Sequence, residues 1–307
     1  MTGASRRILA SVARRWRLVL TLAAIAVLTM FLDPAALMHG ALAVSRDPLP
    51  LLAALVAYTL GFGLRAVAWG PLLPSPVPWR LRLRALLAML AANHTFPGPV
   101  GEVVRARLVT SARLPFARAL ASVAAARVVD VFAVGFLLGL GALLSGDAPN
   151  WARWGAPVAV TLPALVVWFG VTRPGRVARR YGVRLDAVQF ARAAAWALPS
   201  WALEAGVVLV VAGSAGWSLS PPAAVLVTCM SLLAQVFAVL PGGIGTYEAG
   251  MTTGLVALGV PVSDALAVAV VTHGVKFVYA LVVGGVVLVP TSARAARAAR
   301  AARRALA

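Results

Sequence analysis

Long apolar runs recur along the chain, each closed by a polar or basic cluster. They fall at about 18–38, 49–72, 117–144, 154–172, 193–213 and 264–290. Each has roughly the 20-residue length that a helix needs to cross a bilayer core. Two further apolar stretches, 85–113 and 223–260, behave differently. Pro and Gly interrupt each at its centre, in "NHTFPGPVGE" and "LPGGIGTYE". Such breaks mark re-entrant hairpins, because irregular backbone is tolerated at membrane depth only where it packs in protein or lines a cavity. The pattern predicts an all-α polytopic membrane protein with about six full spans and two re-entrant helical hairpins.

The two broken segments read alike. Each runs apolar-Pro-Gly-x-(Val/Ile)-Gly, then a Glu, then a helix. An amide precedes each: Asn93 lies four residues before Pro97, and Gln235 six before Pro241. Glu102 to Arg127 is 25 residues, and so is Glu248 to His273. Each unit also opens with a span carrying one charge, Arg65 or Glu204. These matches predict inverted repeats, 49–144 and 193–290, an arrangement that puts binding sites near the midplane at the repeat interface. A basic tail and first span (1–48), a span with basic linker (145–192) and a basic tail (291–307) complete the organisation.

Composition supports this reading. The chain is 61% hydrophobic with a mean hydropathy of +0.90, where a soluble domain is nearer half apolar. A net charge of +19 would point to nucleic acid in a soluble protein, but here the Arg sit in loops and tails. With the N-terminus inside and both hairpins re-entrant, the inner face receives five Arg in the N-terminal tail, three at 80–84 and four at 105–118. It also receives six at 173–192 and five in the C-terminal tail. The outer loops keep only Arg46 and Arg153. Spanning hairpins would export one of the basic clusters, so the positive-inside rule prefers re-entry and cytoplasmic termini. The N-terminal run reads as a retained first span, not a cleaved signal. The tail "RAARAARAARAARRALA" reads as a basic helix on anionic headgroups. One cysteine, Cys229, and three scattered histidines predict no disulfide, metal or cofactor site.

Charge inside a span is costly, so it faces a partner or a wet cavity. The candidates are Arg65, Glu102, Arg105, Arg127, Asp130, Glu204, Glu248, His273 and Lys276. Arg127 and Asp130 share a helix face at i, i+3, either as a structural ion pair or as an anion grip with its orienting carboxylate. Glu102 and Glu248 follow the breaks, where each either caps its helix or faces a cavity. His273 reads as a hydrogen-bonded core residue or a headgroup ligand. Arg65 and Lys276, the one lysine beside 27 Arg, either snorkel or pair. There is no nucleophile elbow, Walker A loop or acidic metal cluster.

Three blocks carry a family resemblance: "NHTFPGPVGEVVRARLV", "RVVDV" at 127–131, and "LPGGIGTYEAG" with the following "LGVPVSDALAVAVVTHGVKFVYALVVG". Over 49–290 the chain resembles the membrane domain of lysylphosphatidylglycerol synthase, the flippase half of the bacterial multiple peptide resistance factor, and its stand-alone homologues. The resemblance implies a protein that moves a phospholipid or lipid-linked headgroup between leaflets of a bacterial inner membrane. It places functional weight on Asn93, Glu102, Arg105, Arg127, Asp130 and Glu248, and on the hairpin backbone at Pro97, Gly101, Pro241, Gly242, Gly243 and Gly245. Gly98, Gln235, His273 and Lys276 join the candidates from the residue reading. The family usually has Arg where this chain has His273. No aminoacyl-transferase domain follows, so a transporter-like protein is expected rather than a synthase. Its expected partners are membrane lipids with anionic or lipid-linked headgroups, and a second copy or a partner enzyme. The rival readings are a scaffold for a lipid- or glycan-modifying enzyme and an intramembrane lipid-pyrophosphate phosphatase.

Overall fold

The computed structural model describes residues 33–96, 98–146, 186–238 and 240–287, with isolated positions between 150 and 165. The described residues are nearly all helical, and no strand occurs among them. In chain order the helices are α1 (Pro34–Arg46), α2 (Pro48–Trp69), α3 (Trp79–Thr95), α4 (Val100–Leu108), α5 (Phe116–Leu144), α6 (Ala187–Ala202), α7 (Ala205–Ser214), α8 (Pro221–Ala234), α9 (Thr246–Ala257) and α10 (Val262–Tyr279). Four stretches are long and apolar enough to cross a membrane: Pro48–Leu72, Phe116–Leu144, Ala187–Ser214 and Val262–Val287. They coincide with four of the expected spans, and the chain is a multi-pass membrane protein. The other two, 18–38 and 154–172, lie mainly outside the described residues, as do both basic tails.

The outward faces fit an apolar solvent. Leu49, Leu52, Val56 and Leu60 recur every three to four residues on α2 and are all exposed, while Tyr58, Phe62 and Ala66 of the same helix are buried. A helix apolar on both faces has no water-facing side.

Local chemistry shifts several helix limits. In the described end of the expected run 18–38, the Asp33 carboxylate accepts from Ala35 N at 2.9 Å and α1 starts at Pro34. Asp47 likewise caps α2. The helix that leads into the first break begins at Trp79. Trp79 Nε1 donates to Gly63 O at 3.1 Å and Arg82 Nη1 to Val67 O at 3.3 Å, tying that polar turn to α2. The span expected over 193–213 starts at 187 and is broken at Leu203–Glu204. Pro199 inside α6 has no N–H to donate, which weakens the turn just before the break. The last span, Val262–Val287, contains a π-turn, Ala280–Gly284, against which α3 packs.

Both broken segments are helix–break–helix units. α3 packs on α4, and α8 packs on α9. The buried apolar residues form two main cores. One core gathers Tyr58, Phe62, Leu86, Val208, Met251 and Ala269; the other gathers Trp69, Leu114, Val123, Val129 and Ala197. α2 serves both, with Arg65 between its Phe62 and Trp69 contributions.

Candidate functional site

The first break is built around Gly101. Its N–H donates to Asn93 Oδ1 at 2.9 Å. A Cβ there would collide with Asn93 Oδ1 and with the Met89 carbonyl, so only glycine fits. Asn93 therefore satisfies the free amide of the α4 end, and Glu102 does not cap it. Glu102 instead pairs through Oε1 with Arg127 of α5, while its Oε2 is buried without a partner. Arg127 Nη1 lies 3.9 Å from Asp130 Oδ2, and Asp130 Oδ1 accepts from Trp201 Nε1 at 3.0 Å. Pro97 lies outside the described residues. Gly98 has a φ of 74°.

Arg105 sits one turn beyond Glu102. Its guanidinium carbon lies 4.0 Å from the Trp69 ring centroid. The residue is 2% exposed, and its Nε has no acceptor. Arg65 stacks on Trp201 in the same way, at 3.5 Å. Arg65, Trp69, Arg105, Arg127, Asp130 and Trp201 line a cavity of about 30 Å³, room for about one or two waters.

The second break uses a different solution. Gly242, Gly243 and Gly245 all have positive φ, 68°, 77° and 87°, a region closed to most side chains. The Gln235 side chain lies against Gly243, and Pro241 opens the turn. Glu248 caps α9: its Oε2 accepts from Gly245 N at 2.7 Å. Its Oε1 lies 2.7 Å from His273 Nδ1. His273 Nε2 lies 3.1 Å from Gly242 O, and Tyr247 stacks on the ring at 4.3 Å. Of the two readings of Glu248, the capping one describes Oε2, while Oε1 meets His273.

A third group joins the units. Glu204, at the α6–α7 break, receives Arg65 Nη2 at 2.6 Å and Lys276 Nζ at 3.0 Å. Lys276 and Glu204 are each 3% exposed. Neither Arg65 nor Lys276 snorkels, because the carboxylate that each needs is supplied from across the fold. The two 25-residue spacings are both contact pairs, Glu102 with Arg127 and Glu248 with His273.

All nine predicted candidates lie in or beside these three groups, with Gln235 at the edge. Sequence reasoning missed Trp69, Trp201 and Tyr247, since an aromatic in an apolar span gives no signal of what it stacks on. Trp201→Phe should keep a ring under Arg65 yet remove the donor to Asp130. The expected cost is about 1.5 kcal/mol, read as a lowered unfolding midpoint in detergent. No group of three or more His, Cys, Asp or Glu that could hold a metal occurs among the described residues.

Comparison with known proteins places the chain in a family of membrane regions. The lysylphosphatidylglycerol synthase TM region family matches residues 16–284. A protein named glycosyltransferase AglD, from Haloferax volcanii, is 26% identical over 332 residues, covering 88% of this chain and 53% of that protein. The chain thus spans about half the length of this curated relative. No solved structure matches. With the match running from before α1 into the final π-turn, across both broken segments, the chain belongs to the lysylphosphatidylglycerol synthase TM region family.

Proposed function

We propose that this chain moves a lipid with an anionic or lipid-linked headgroup between membrane leaflets, with the two hairpins re-entrant and related as inverted repeats. The carrying observation is Arg105: a buried guanidinium whose Nε lacks an acceptor, set over the Trp69 ring and lining a small cavity. A buried cation without full hydrogen bonding is costly unless a ligand completes it. Arg presents a planar fork of donors that suits a phosphate. Arg65, Arg105, Arg127 and Lys276 face Glu102, Asp130 and Glu204, which leaves one cation in excess for an anionic group. Asn93 and the hairpin glycines let backbone approach the headgroup, and Gln235 borders the second tip. The charge asymmetry of the loops supports cytoplasmic termini in a bacterial cell membrane.

The test is translocation of a headgroup-labelled anionic phospholipid in proteoliposomes, read with a membrane-impermeant quencher. Arg105→Ala should slow it at least roughly tenfold, the loss of one charge-assisted contact of about 1.5–3 kcal/mol. Arg105→Lys should fall between, since it keeps charge but not the fork. An unchanged rate in correctly folded Arg105→Ala would remove the residue from the path.

A second reading is favoured by the relative named a glycosyltransferase, of which this chain matches about half. There the chain would be the membrane partner of a lipid-linked sugar transferase. Stoichiometric co-purification with such an enzyme, with no translocation by the chain alone, selects this reading.

A further inference from the structure

We infer that Glu248 and His273 form a binding site for one proton, and that this proton holds the second hairpin tip closed. The argument is a donor count. Both ring nitrogens of His273 face oxygens: Nδ1 faces Glu248 Oε1 at 2.7 Å, and Nε2 faces Gly242 O at 3.1 Å. A neutral imidazole has one N–H and one acceptor nitrogen. Beside an ionised Glu248, a neutral ring would turn a bare nitrogen toward either a carboxylate or a carbonyl. Two proton placements satisfy every contact. In one, His273 is an imidazolium donating to both oxygens. In the other, Glu248 is protonated on Oε1 and donates to Nδ1, while Nε2–H donates to Gly242 O. Oε2 is not the proton's place, because it already accepts from Gly245 N at 2.7 Å. Either placement adds the same single proton to neutral imidazole plus carboxylate.

The surroundings do not supply a substitute donor. Tyr247 of α9 stacks on the ring face instead of bonding to its nitrogens. His94 of α3 lies 6.3 Å away, ring to ring, with its own Nδ1 engaged at Leu90 O. Lys276, on the same helix, is paired with Glu204, which Arg65 also binds, and its Nζ lies over the Tyr58 and Tyr247 rings at 5.6 and 5.3 Å. Glu248 and His273 are both buried, so departure of the proton leaves an ionised carboxylate out of water and one of the two ring contacts without its hydrogen. The bond to Gly242 O or the bond to Glu248 must then be given up. Those two bonds join α10 to the turn Pro241–Gly243 and to the start of α9, and the positive-φ glycines between them offer the backbone freedom to move.

If the lipid translocation proposed above holds, this site would couple proton exchange to opening of the hairpin; the proton itself does not depend on that reading. The first experiment uses the whole chain in bilayers with ¹⁵N-labelled histidine. Only three histidines are present, and His273→Gln assigns the third signal. At neutral pH, His273 should carry protons on both nitrogens, or infrared spectra should show a protonated carboxyl band that Glu248→Gln abolishes. In the second experiment, hydrogen exchange of the Gly243 to Tyr247 amides, corrected for intrinsic rates, should rise as pH removes the proton. Glu248→Gln should stay protected as the pH is raised, because its amide N–H donates to the unprotonated Nδ1 while its oxygen still accepts from Gly245. A singly protonated His273 beside an ionised Glu248 at neutral pH would overturn the proposal, as would tip exchange that ignores pH in the unaltered protein. In proteoliposomes, a pH gradient should accelerate lipid translocation by the unaltered protein and not by Glu248→Gln. Absence of any translocation, with the spectroscopic and exchange results intact, would overturn the transport reading alone.

Discussion

Glu204→Gln is expected to destabilise the protein by about 3–5 kcal/mol, the penalty for breaking a buried ion pair by removing one partner. Glu204 is the single carboxylate between two cations, with Arg65 at 2.6 Å and Lys276 at 3.0 Å. An amide of the same size packs without a cavity, so the loss is electrostatic. One of its positions becomes an N–H₂ pointing at a cation, and two positive charges remain buried with half their acceptors. The measurement is thermal or chemical unfolding in detergent. The double variant Glu204→Gln with Lys276→Met should recover part of the loss, because it removes one stranded charge. Arg65 keeps the amide oxygen and the faces of Phe62 and Trp201. A single variant as stable as the unaltered protein would show that water reaches this triad.

Gly101→Ala is the second large effect, about 2–4 kcal/mol. Its Cβ would meet Asn93 Oδ1 and the Met89 carbonyl. A side chain can swing away, but a carbonyl inside α3 cannot move without bending the helix. Overpacking of this kind costs roughly 1–3 kcal/mol, and losing the Asn93 to Gly101 hydrogen bond adds about 1 kcal/mol. The break would widen and shift Glu102 and Arg105 away from Arg127 and Trp69, so the unfolding midpoint should fall, and with it the lipid translocation proposed above. Two comparison variants separate the causes. Gly98→Ala meets no atom but has a φ of 74°, so it should cost only about 1 kcal/mol of backbone strain. Gly274→Ala lies inside α10 with open space around it, and should be neutral or stabilising by up to about 1 kcal/mol. If Gly101→Ala behaves like Gly274→Ala, α3 and α4 are not held as closely as described.

The candidate site was partly legible. Burial of charge in apolar runs is a one-dimensional signal, so Arg65, Glu102, Arg105, Arg127, Asp130, Glu204, Glu248, His273 and Lys276 stood out from sequence. The 25-residue spacings also held meaning, since both join a residue just after a break to one midway along the next long helix. Partner choice was less legible. The i, i+3 pattern suggested Arg127 with Asp130, but Glu102 comes closer and Trp201 takes the other oxygen of Asp130. Local spacing brings two side chains onto one face; which contact wins depends on what the neighbouring helices present there. The capping role given equally to Glu102 and Glu248 was right for Glu248 alone. The first break has Asn93 within reach of its free amide, and the second has Gln235 turned along Gly243.

The sequence alone determined what the solvent and the backbone dictate. Continuous apolar runs had to become helices facing lipid, because only a helix satisfies its own backbone there. Proline and positive-φ glycines had to break them at the two tips. Those rules act over a few residues and need no partner. The tertiary structure decided how far each helix is rotated and which distant groups meet. Arg65 lies 139 residues from Glu204, and Lys276 lies 72 residues from it. Such contacts exist only once close packing sets the helix rotations. The charges could be counted along the chain, but their pairing, and the unpartnered Nε of Arg105, follow from how the helices pack.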